Sequence, residues 1–217
     1  MRAHAVLLDF DGLICDTERA ARSSWERLYA YFGYEFPDSV WRLMSGHAAG
    51  HEVAEADLSR RLERPLARSE LRLRSELKRW LADAEPVRPG VIALLDAAAE
   101  LGFTRIVVSN SRWEWVAHHL DRLGVRARFD LLVTGELTAA KPAPDLYLRA
   151  LDLAGVAAWD AVAFEDSAAG VAAAEAAGVR CVAVPGHVGD PASLGAADLV
   201  LPCLTHFVLS AERTAAR

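Results

Sequence analysis

The chain has 217 residues and a hydrophobic fraction of 53%, which is enough for one substantial domain or for a core that carries a smaller insert. Its formal net charge of −6 provides no basic field that would attract nucleic acid or anionic lipid, so an anionic substrate needs a local positive site. Charged residues interrupt each apolar stretch before it reaches the length of a membrane span.

The cysteines and the first residues bear on the compartment. The three cysteines are widely spaced and form no CxxC pair, a pattern that favours a reducing environment. Residues 1–4 lead directly into an apolar run without the pattern of a secretion signal. We therefore expect a cytoplasmic protein with neither nucleic-acid nor membrane partners, and a monomer is the default expectation.

The first predicted element is a buried strand at the start of "HAVLLDFDGLICDTE", and it ends at Asp9 and Asp11. From 16 to 85 the patterns are helical only. In the first of these helices an apolar face is formed by Trp25, Leu28, Tyr29 and Phe32. We predict an inserted helical cap domain over 16–85, closed by the Pro/Gly segment "EPVRPG", and a core domain formed by 1–15 and 86–217.

Residues 86–184 alternate between helical and strand patterns. Helices of this length between buried strands imply right-handed crossovers and a parallel sheet that is covered on both faces. The predicted fold class is therefore α/β, a Rossmann-like doubly wound sheet with an inserted helical cap. Beyond 185 we expect a polar loop, a short strand near "ADLVL" and a closing amphipathic helix.

Polar side chains follow the strands of this predicted sheet. Because ligands of open parallel sheets bind at the carboxyl ends of the strands, residues remote in sequence are expected to meet at one edge. The residues concerned are Asp9 and Asp11 after the first strand, Ser109, Asn110 and Ser111 after the second, Lys141 after the third, and Glu165 and Asp166 after the fourth.

This set of side chains has a chemical logic. The carboxylates of Asp9, Glu165 and Asp166 repel one another and need a cation between them. Hard oxygen ligands suit Mg²⁺, which commonly completes its coordination with water and phosphate oxygens. Lys141 adds a second positive charge and Ser109 adds a neutral donor, so the group is suited to bind a phosphoryl group.

The two-residue spacing of Asp9 and Asp11 suggests a division of labour. Alternate residues of an extended segment point the same way, so the two carboxylates can flank one reacting centre. One can attack phosphorus to form an aspartyl-phosphate, and the other can protonate the leaving oxygen and then deprotonate water. As an alternative, each acid could be no more than a turn residue or a helix cap.

These segments resemble the four motifs of the haloacid dehalogenase superfamily, in order and in context. DxDG matches the first motif, and the serine after the second strand matches the second motif. The lysine of KPAPD matches the third motif, and FEDS matches the fourth. The resemblance implies a sheet whose strands, numbered along the chain, lie in the order 5-4-1-2-3. It also implies a dependence on Mg²⁺.

The resemblance implies a role for each matched residue. Asp9 would be the nucleophile, Asp11 the general acid and base, and Lys141 the partner of phosphate and nucleophile. Mg²⁺ would be held by Asp9, Glu165, Asp166 and the backbone carbonyl of Asp11. Phosphate or substrate would be bound by Ser109, Asn110, Lys141 and, from the cap loop, Gly46 and His47.

Within the superfamily, "KPAPDLY" and "FEDSAAGV" resemble the β-phosphoglucomutase-like group with a helical cap. The mutases carry a histidine where this chain has Ala21, and an arginine soon after the cap glycine, where this chain has His47 and two alanines. We therefore expect a phosphatase of small, sugar-phosphate-like monoesters. The alternatives are a sugar phosphate mutase and a non-catalytic protein that binds phosphorylated metabolites.

Other residues invite simpler interpretations. Trp113 and Trp115 are expected to pack in the core, and His47 and His51 to be solvated or to face substrate rather than to bind zinc. The arginines of "RSELRLRSELKR" are expected to form a solvated face with glutamate partners four residues away. The chain contains only two lysines, Lys78 and Lys141, and the role of Lys78 stays open.

Overall fold

The structure, a computed structural model, describes residues 4–44, 50–136, 138–188 and 191–210. In this part of the chain the fold is α/β, with six parallel strands in the order β3-β2-β1-β4-β5-β6. The strands are β1 (Ala5–Leu8), β2 (Thr104–Ser109), β3 (Leu131–Thr134), β4 (Ala161–Glu165), β5 (Arg180–Ala183) and β6 (Leu199–Val200). The order of the first five strands is the predicted one, and β6 lies where "ADLVL" predicted a short strand.

Two apolar clusters cover the two faces of the sheet. Because side chains alternate along a strand, Val6 and Leu8 of β1 enter one cluster, and Ala5 and Leu7 enter the other. The remaining members come largely from the helices on each face. These are α5 (Val91–Glu100) and α6 (Trp113–Arg122) on the first face, and α7 (Asp145–Ala154) and α8 (Ala168–Ala176) on the second.

Four helices are inserted between β1 and β2, and we call them together the cap. They are α1 (Thr17–Tyr31), α2 (Asp38–Met44), α3 (Gly50–Arg61) and α4 (Arg68–Asp83). The cap has an apolar cluster of its own, in which Trp25 and Tyr29 of α1 are buried and Leu28 and Phe32 are partly buried. The apolar face predicted for the first helix is therefore confirmed.

The two linkers that join the cap to the core are bonded to each other. Cys15 and Val87 form an antiparallel bridge, and the amide of Arg88 donates to the carbonyl of Ile14 at 2.9 Å. The guanidinium of Arg19 also holds both carboxylate oxygens of Glu85, at 2.7 and 2.6 Å. The entry to the cap and the exit from it therefore form one hydrogen-bonded ribbon.

The prediction of a closing helix is wrong for residues 201–210. This segment contains a single 3-10 turn, Leu204–His206, and no α-helix. Phe207 and Leu209 pack individually against the core instead, an alternation that suits extended chain better than a helical face. Among the described helices, none combines the length and apolar character needed to cross a bilayer.

Candidate active site

A cavity of about 530 Å³ lies between the carboxyl ends of the strands and the cap. Most of the predicted site residues line it, namely Asp9, Asp11, Ser109, Asn110, Lys141 and Asp166. Glu165 is fully buried next to them, and His51 lines the cavity from the cap. Gly46 and His47 lie outside the described residues.

Lys141 connects two of the predicted acidic residues. Its ammonium group donates to Asp9 Oδ1 at 2.6 Å, to Glu165 Oε1 at 2.5 Å and to the carbonyl of Val108 at 2.7 Å. All three protons of the ammonium are thereby used. The Tyr147 hydroxyl donates to the same Glu165 oxygen. The lysine is buried, so this is a desolvated ion pair network with fixed geometry.

The carboxylates around Lys141 carry more negative charge than the lysine neutralises, and their pKa values show this. Burial raises the pKa of Asp9 well above its usual value; the Lys141 charge opposes this, and the charges of Glu165 and Asp11 add to it. The pKa of Asp166 is raised well above its usual value by burial and by neighbouring carboxylates, chiefly Asp9. Burial lowers the pKa of Lys141, but the charges of Asp9 and Glu165 outweigh it, so the lysine stays protonated.

Two glycines allow the acidic side chains to come close together. A Cβ atom on Gly12 would lie 1.8 Å from Asp166 Oδ2, and this glycine has φ +91°, which disfavours other residues. A Cβ atom on Gly170 would lie 1.9 Å from Glu165 Oε2. The turn after β1 and the first turn of α8 are therefore shaped around carboxylates.

The acidic cluster fits a hard metal ion. One oxygen each from Asp9, Glu165 and Asp166 lies within 4.8 Å of the others. The second oxygen of Glu165, Oε2, is buried and has no hydrogen-bond partner among the described residues, which leaves an acceptor to be satisfied. Three carboxylates against one lysine also leave an excess of negative charge. Oxygen donors with such an excess are the ligands that Mg²⁺ takes in proteins.

Asp11 is held by four donors. Thr17 Oγ1 and the indole Nε1 of Trp115 donate to its Oδ1 at 2.6 and 2.9 Å. The hydroxyls of Ser109 and Ser111 donate to its Oδ2 at 3.3 and 2.5 Å. The carboxylate of Asp11 is thereby fixed at the edge of the cavity, beside Asp9 in sequence but bonded to a different set of groups.

The prediction of core packing holds for the ring of Trp115 and is wrong for Trp113. The Trp115 ring is partly buried against the core, but its N–H is committed to Asp11, and Trp113 is about half exposed rather than packed in the core. Helical spacing could assign Trp115 to a face, but it could not show which acceptor the indole N–H would find. The contribution of Thr17, in the first turn of α1, was missed for the same reason.

We expect Trp115→Phe to lower kcat for phosphate ester hydrolysis by roughly tenfold, with a smaller change in KM, because one charge-assisted hydrogen bond that orients Asp11 is lost while the ring packing is kept. Steady-state kinetics checks this. Trp113→Phe, a change at an exposed tryptophan two residues away, is the matched control and should leave both constants unchanged. An equal loss in the two variants would contradict the positioning role.

Asn110 and Arg88 stabilise the loops around the cavity. The side-chain amide of Asn110 accepts from the Lys141 amide at 2.7 Å and donates to the Lys141 carbonyl at 3.2 Å, so its bonds within the protein hold the loop that carries the lysine. Arg88 donates to the carbonyls of Gly12 and Pro185. The segment "EPVRPG" is predicted to close the cap, but nothing in its sequence indicates this contact.

The arginines of α4 do not all form the solvated face that was predicted. Arg72 does, because it is exposed and bonded to Glu76 at 2.8 Å. Arg74 is half-buried and lines the cavity together with Lys78, so the prediction is wrong for that residue. A four-residue spacing identifies a possible partner, but the packing of the cap decides which arginines face water.

Comparison with known proteins agrees with this geometry. Residues 3–178 match the family model described as haloacid dehalogenase-like hydrolase. The chain is 38% identical to YhcW of Bacillus subtilis (strain 168) over 186 residues, which cover 85% of this chain and 84% of that protein. It is 27% identical to the phosphorylated carbohydrates phosphatase of Thermotoga maritima over 203 residues, which cover 91% and 94% of the two chains.

A solved structure shows the same likeness in three dimensions. CbbY from Rhodobacter sphaeroides, crystallised in complex with phosphate, is 28% identical and superposes with a TM-score of 0.74 over 94% of this chain and 96% of that one. The order of the strands, the helical insertion after β1 and the acidic cluster are thus accompanied by similarity along most of the sequence. The chain belongs to the haloacid dehalogenase-like hydrolase family.

Proposed function

We propose that the protein is a Mg²⁺-dependent phosphatase of small phosphorylated metabolites, with sugar-phosphate-like monoesters as substrates. The observation that carries this proposal is the ion pair network at the end of β1, in which Lys141 holds Asp9 at 2.6 Å beside two further carboxylates. The names of relatives support it, since one of them is a phosphorylated carbohydrates phosphatase.

Each residue of the network has a role in this reaction. Asp9 attacks the phosphorus atom, the bond to the ester oxygen breaks, and an aspartyl-phosphate forms. Asp11 must be protonated to act as the acid: it gives its proton to the departing alcohol and then takes one from the water that hydrolyses the intermediate, which restores the protonated form. Lys141 fixes the orientation of Asp9 and offsets negative charge on the phosphoryl oxygens, and the Ser109 hydroxyl would turn from its long bond to Asp11 to donate to them.

The metal would be held by Asp9, Glu165, Asp166 and the backbone carbonyl of Asp11. When bound, Mg²⁺ supplies positive charge that neutralises the phosphate dianion and the carboxylates around it. The cap covers the cavity and limits access of bulk water to the reacting groups.

Water is the expected acceptor of the phosphoryl group, rather than a second sugar hydroxyl. Ala21 lines the cavity with a methyl group at the position where the mutases of the family carry a histidine. A histidine at that place could activate a sugar hydroxyl, whereas a methyl group offers no proton acceptor. The mutase is therefore the second candidate, and it is distinguished by its product.

The test is release of inorganic phosphate from p-nitrophenyl phosphate and from a panel of sugar phosphates, with MgCl₂ or with EDTA. We expect turnover with the metal and a loss of at least about 100-fold with EDTA, because the carboxylates around Asp9 then lack their counter-charge. Turnover that is the same in EDTA would contradict the proposal. Conversion between hexose phosphates without release of phosphate would favour the mutase.

A further inference from the structure

Both lysines of the chain line the same cavity. Lys141 belongs to the ion pair network, whereas Lys78 comes from α4 of the cap. Arg74 lies one helical turn before Lys78 and lines the cavity as well, so the two cations occupy one face of α4. Nothing in the proposed chemistry at Asp9 uses either of them.

The two cations are in contact with aromatic rings. The guanidinium carbon of Arg74 lies 4.7 Å from the centroid of the Trp25 ring, and the ammonium of Lys78 lies 4.6 Å from the centroid of Trp115. Among the described residues, neither forms an ion pair, although Arg72 on the same helix pairs with Glu76. Cation–π contact stabilises a positive charge but leaves its N–H groups open to an anion.

Arg74 is incompletely satisfied. Its Nη1 donates to Ser24 Oγ at a long 3.4 Å, and its Nε is buried with no hydrogen-bond partner in the part of the chain that the structure describes. Burial lowers the pKa of this guanidinium, and the charge of Glu55 acts in the opposite direction. A charge that is partly withdrawn from water is costly, although Glu55 offsets part of that cost, and an anion bound in the cavity beside the guanidinium would offset more of it.

Among the described residues of the cap, the carboxylate that lines the cavity lies toward the acidic cluster. Glu18, in the first turn of α1, acts on the pKa of Asp166, so it belongs to the acidic end. The cavity therefore has an acidic cluster where the sheet ends and two cations on α4, and Arg112, just before α6, lines it as a further cation. Its volume of about 530 Å³ falls in the range of small-molecule sites, so it can hold a substrate that reaches both.

We propose that Arg74 and Lys78 form a subsite for a second anionic group of the substrate, so that the preferred substrates are phosphate monoesters that carry a carboxylate or a second phosphate away from the scissile phosphate. This inference depends on the proposed function in one respect, namely that the scissile phosphate binds at Asp9. An uncharged hydroxyl could accept a hydrogen bond from Arg74, but it would not neutralise the pair of charges.

Three compounds with the same open six-carbon chain test the subsite. Glucitol 6-phosphate has no second anion, 6-phosphogluconate has a carboxylate at the other end, and glucitol 1,6-bisphosphate has a phosphate there. We expect kcat/KM of the wild-type protein to be at least about tenfold higher for one or both of the doubly anionic compounds than for glucitol 6-phosphate. The compound that gains more identifies which anion the subsite takes.

Three variants then locate the effect. Lys78→Met and Arg74→Gln should each reduce the ratio of kcat/KM between doubly anionic and singly anionic compounds by about tenfold. Arg72→Gln removes an exposed arginine of the same helix and should leave the ratio unchanged. Circular dichroism shows whether each variant is folded. A wild-type ratio near one, or a ratio that survives both cavity variants, would overturn the proposal.

The result can be separated from the proposed function. Hydrolysis of p-nitrophenyl phosphate without discrimination among the three compounds would reject the subsite and leave the phosphatase intact. If no compound were hydrolysed, the phosphatase would be rejected, and calorimetric titration of the same three compounds with MgCl₂ would still decide on the subsite. In that case the subsite is supported if the doubly anionic compounds bind more tightly than glucitol 6-phosphate and this difference is lost in Lys78→Met and Arg74→Gln. Equal binding of the three compounds rejects the subsite.

Discussion

Asp9→Asn is expected to abolish phosphate release, with kcat lower by roughly 10⁴-fold or more, because an amide cannot form the aspartyl-phosphate and nothing else in the network is placed to replace it. The measurement is phosphate release in MgCl₂ with p-nitrophenyl phosphate. Asp121→Asn changes an exposed carboxylate of α6 in the same way and should keep full activity. Activity in Asp9→Asn within tenfold of the wild type would refute a nucleophilic role for Asp9.

The stability of this variant separates loss of chemistry from loss of fold. Without metal, the negative charges of Asp9, Glu165 and Asp166 exceed the positive charges of Lys141 and of Arg88, which acts on Asp166, so removal of one carboxylate relieves repulsion. Asp9→Asn in EDTA should therefore be at least as stable toward urea as the wild type. A large decrease in its free energy of unfolding would mean that inactivity reports a damaged fold.

Lys141→Met is expected to have the largest effect on stability. It leaves Glu165, which has no exposed surface, without the cation that it contacts at 2.5 Å, and loss of one partner from a buried pair costs about 3–5 kcal/mol. Activity should fall by roughly 100-fold or more, because Asp9 loses its orientation and the phosphoryl oxygens lose a counter-charge. Urea unfolding in EDTA measures the first effect and phosphate release measures the second.

The chain offers a matched control for this substitution. Lys78→Met removes the only other lysine, which lies at the same cavity but is half-buried and has no acidic partner among the described residues. Its free energy of unfolding should change by less than about 1 kcal/mol. Because a bound divalent cation would return positive charge to the acidic cluster, MgCl₂ should restore part of the stability of Lys141→Met. Equal losses in the two lysine variants would contradict a special role for the buried ion pairs.

The sequence predicted the fold well because the signals that define it are local. Buried strands, helical periodicity and their alternation predicted the parallel sheet, and polar residues after successive strands predicted where the side chains would gather. Asp9, Lys141 and Glu165 could be selected for that reason, since the topology alone brings the ends of neighbouring strands together. The resemblance to a family added roles that the spacing could not assign.

The remaining features depend on packing that no local pattern contains. Trp115 could be assigned to a helix, but its hydrogen bond to Asp11 depends on how that helix lies against the turn after β1. Arg74 is predicted to lie in a solvated row with a glutamate partner, yet the packing of the cap places it at the cavity, where it forms no ion pair with any described residue. The predicted closing helix is absent from residues 201–210, where Phe207 and Leu209 pack separately on the core.

The ribbon formed by the two linkers has a mechanical consequence. Since Cys15 and Val87 are bridged and Arg19 grips Glu85, the cap is attached to the core along one line rather than at two independent points. A domain attached along one line is expected to rotate about that line as a hinge axis and not to translate across the core. We therefore expect the cap to move relative to the core by rotation about this ribbon, which leaves the positions of Asp9 and Lys141 in the core unchanged.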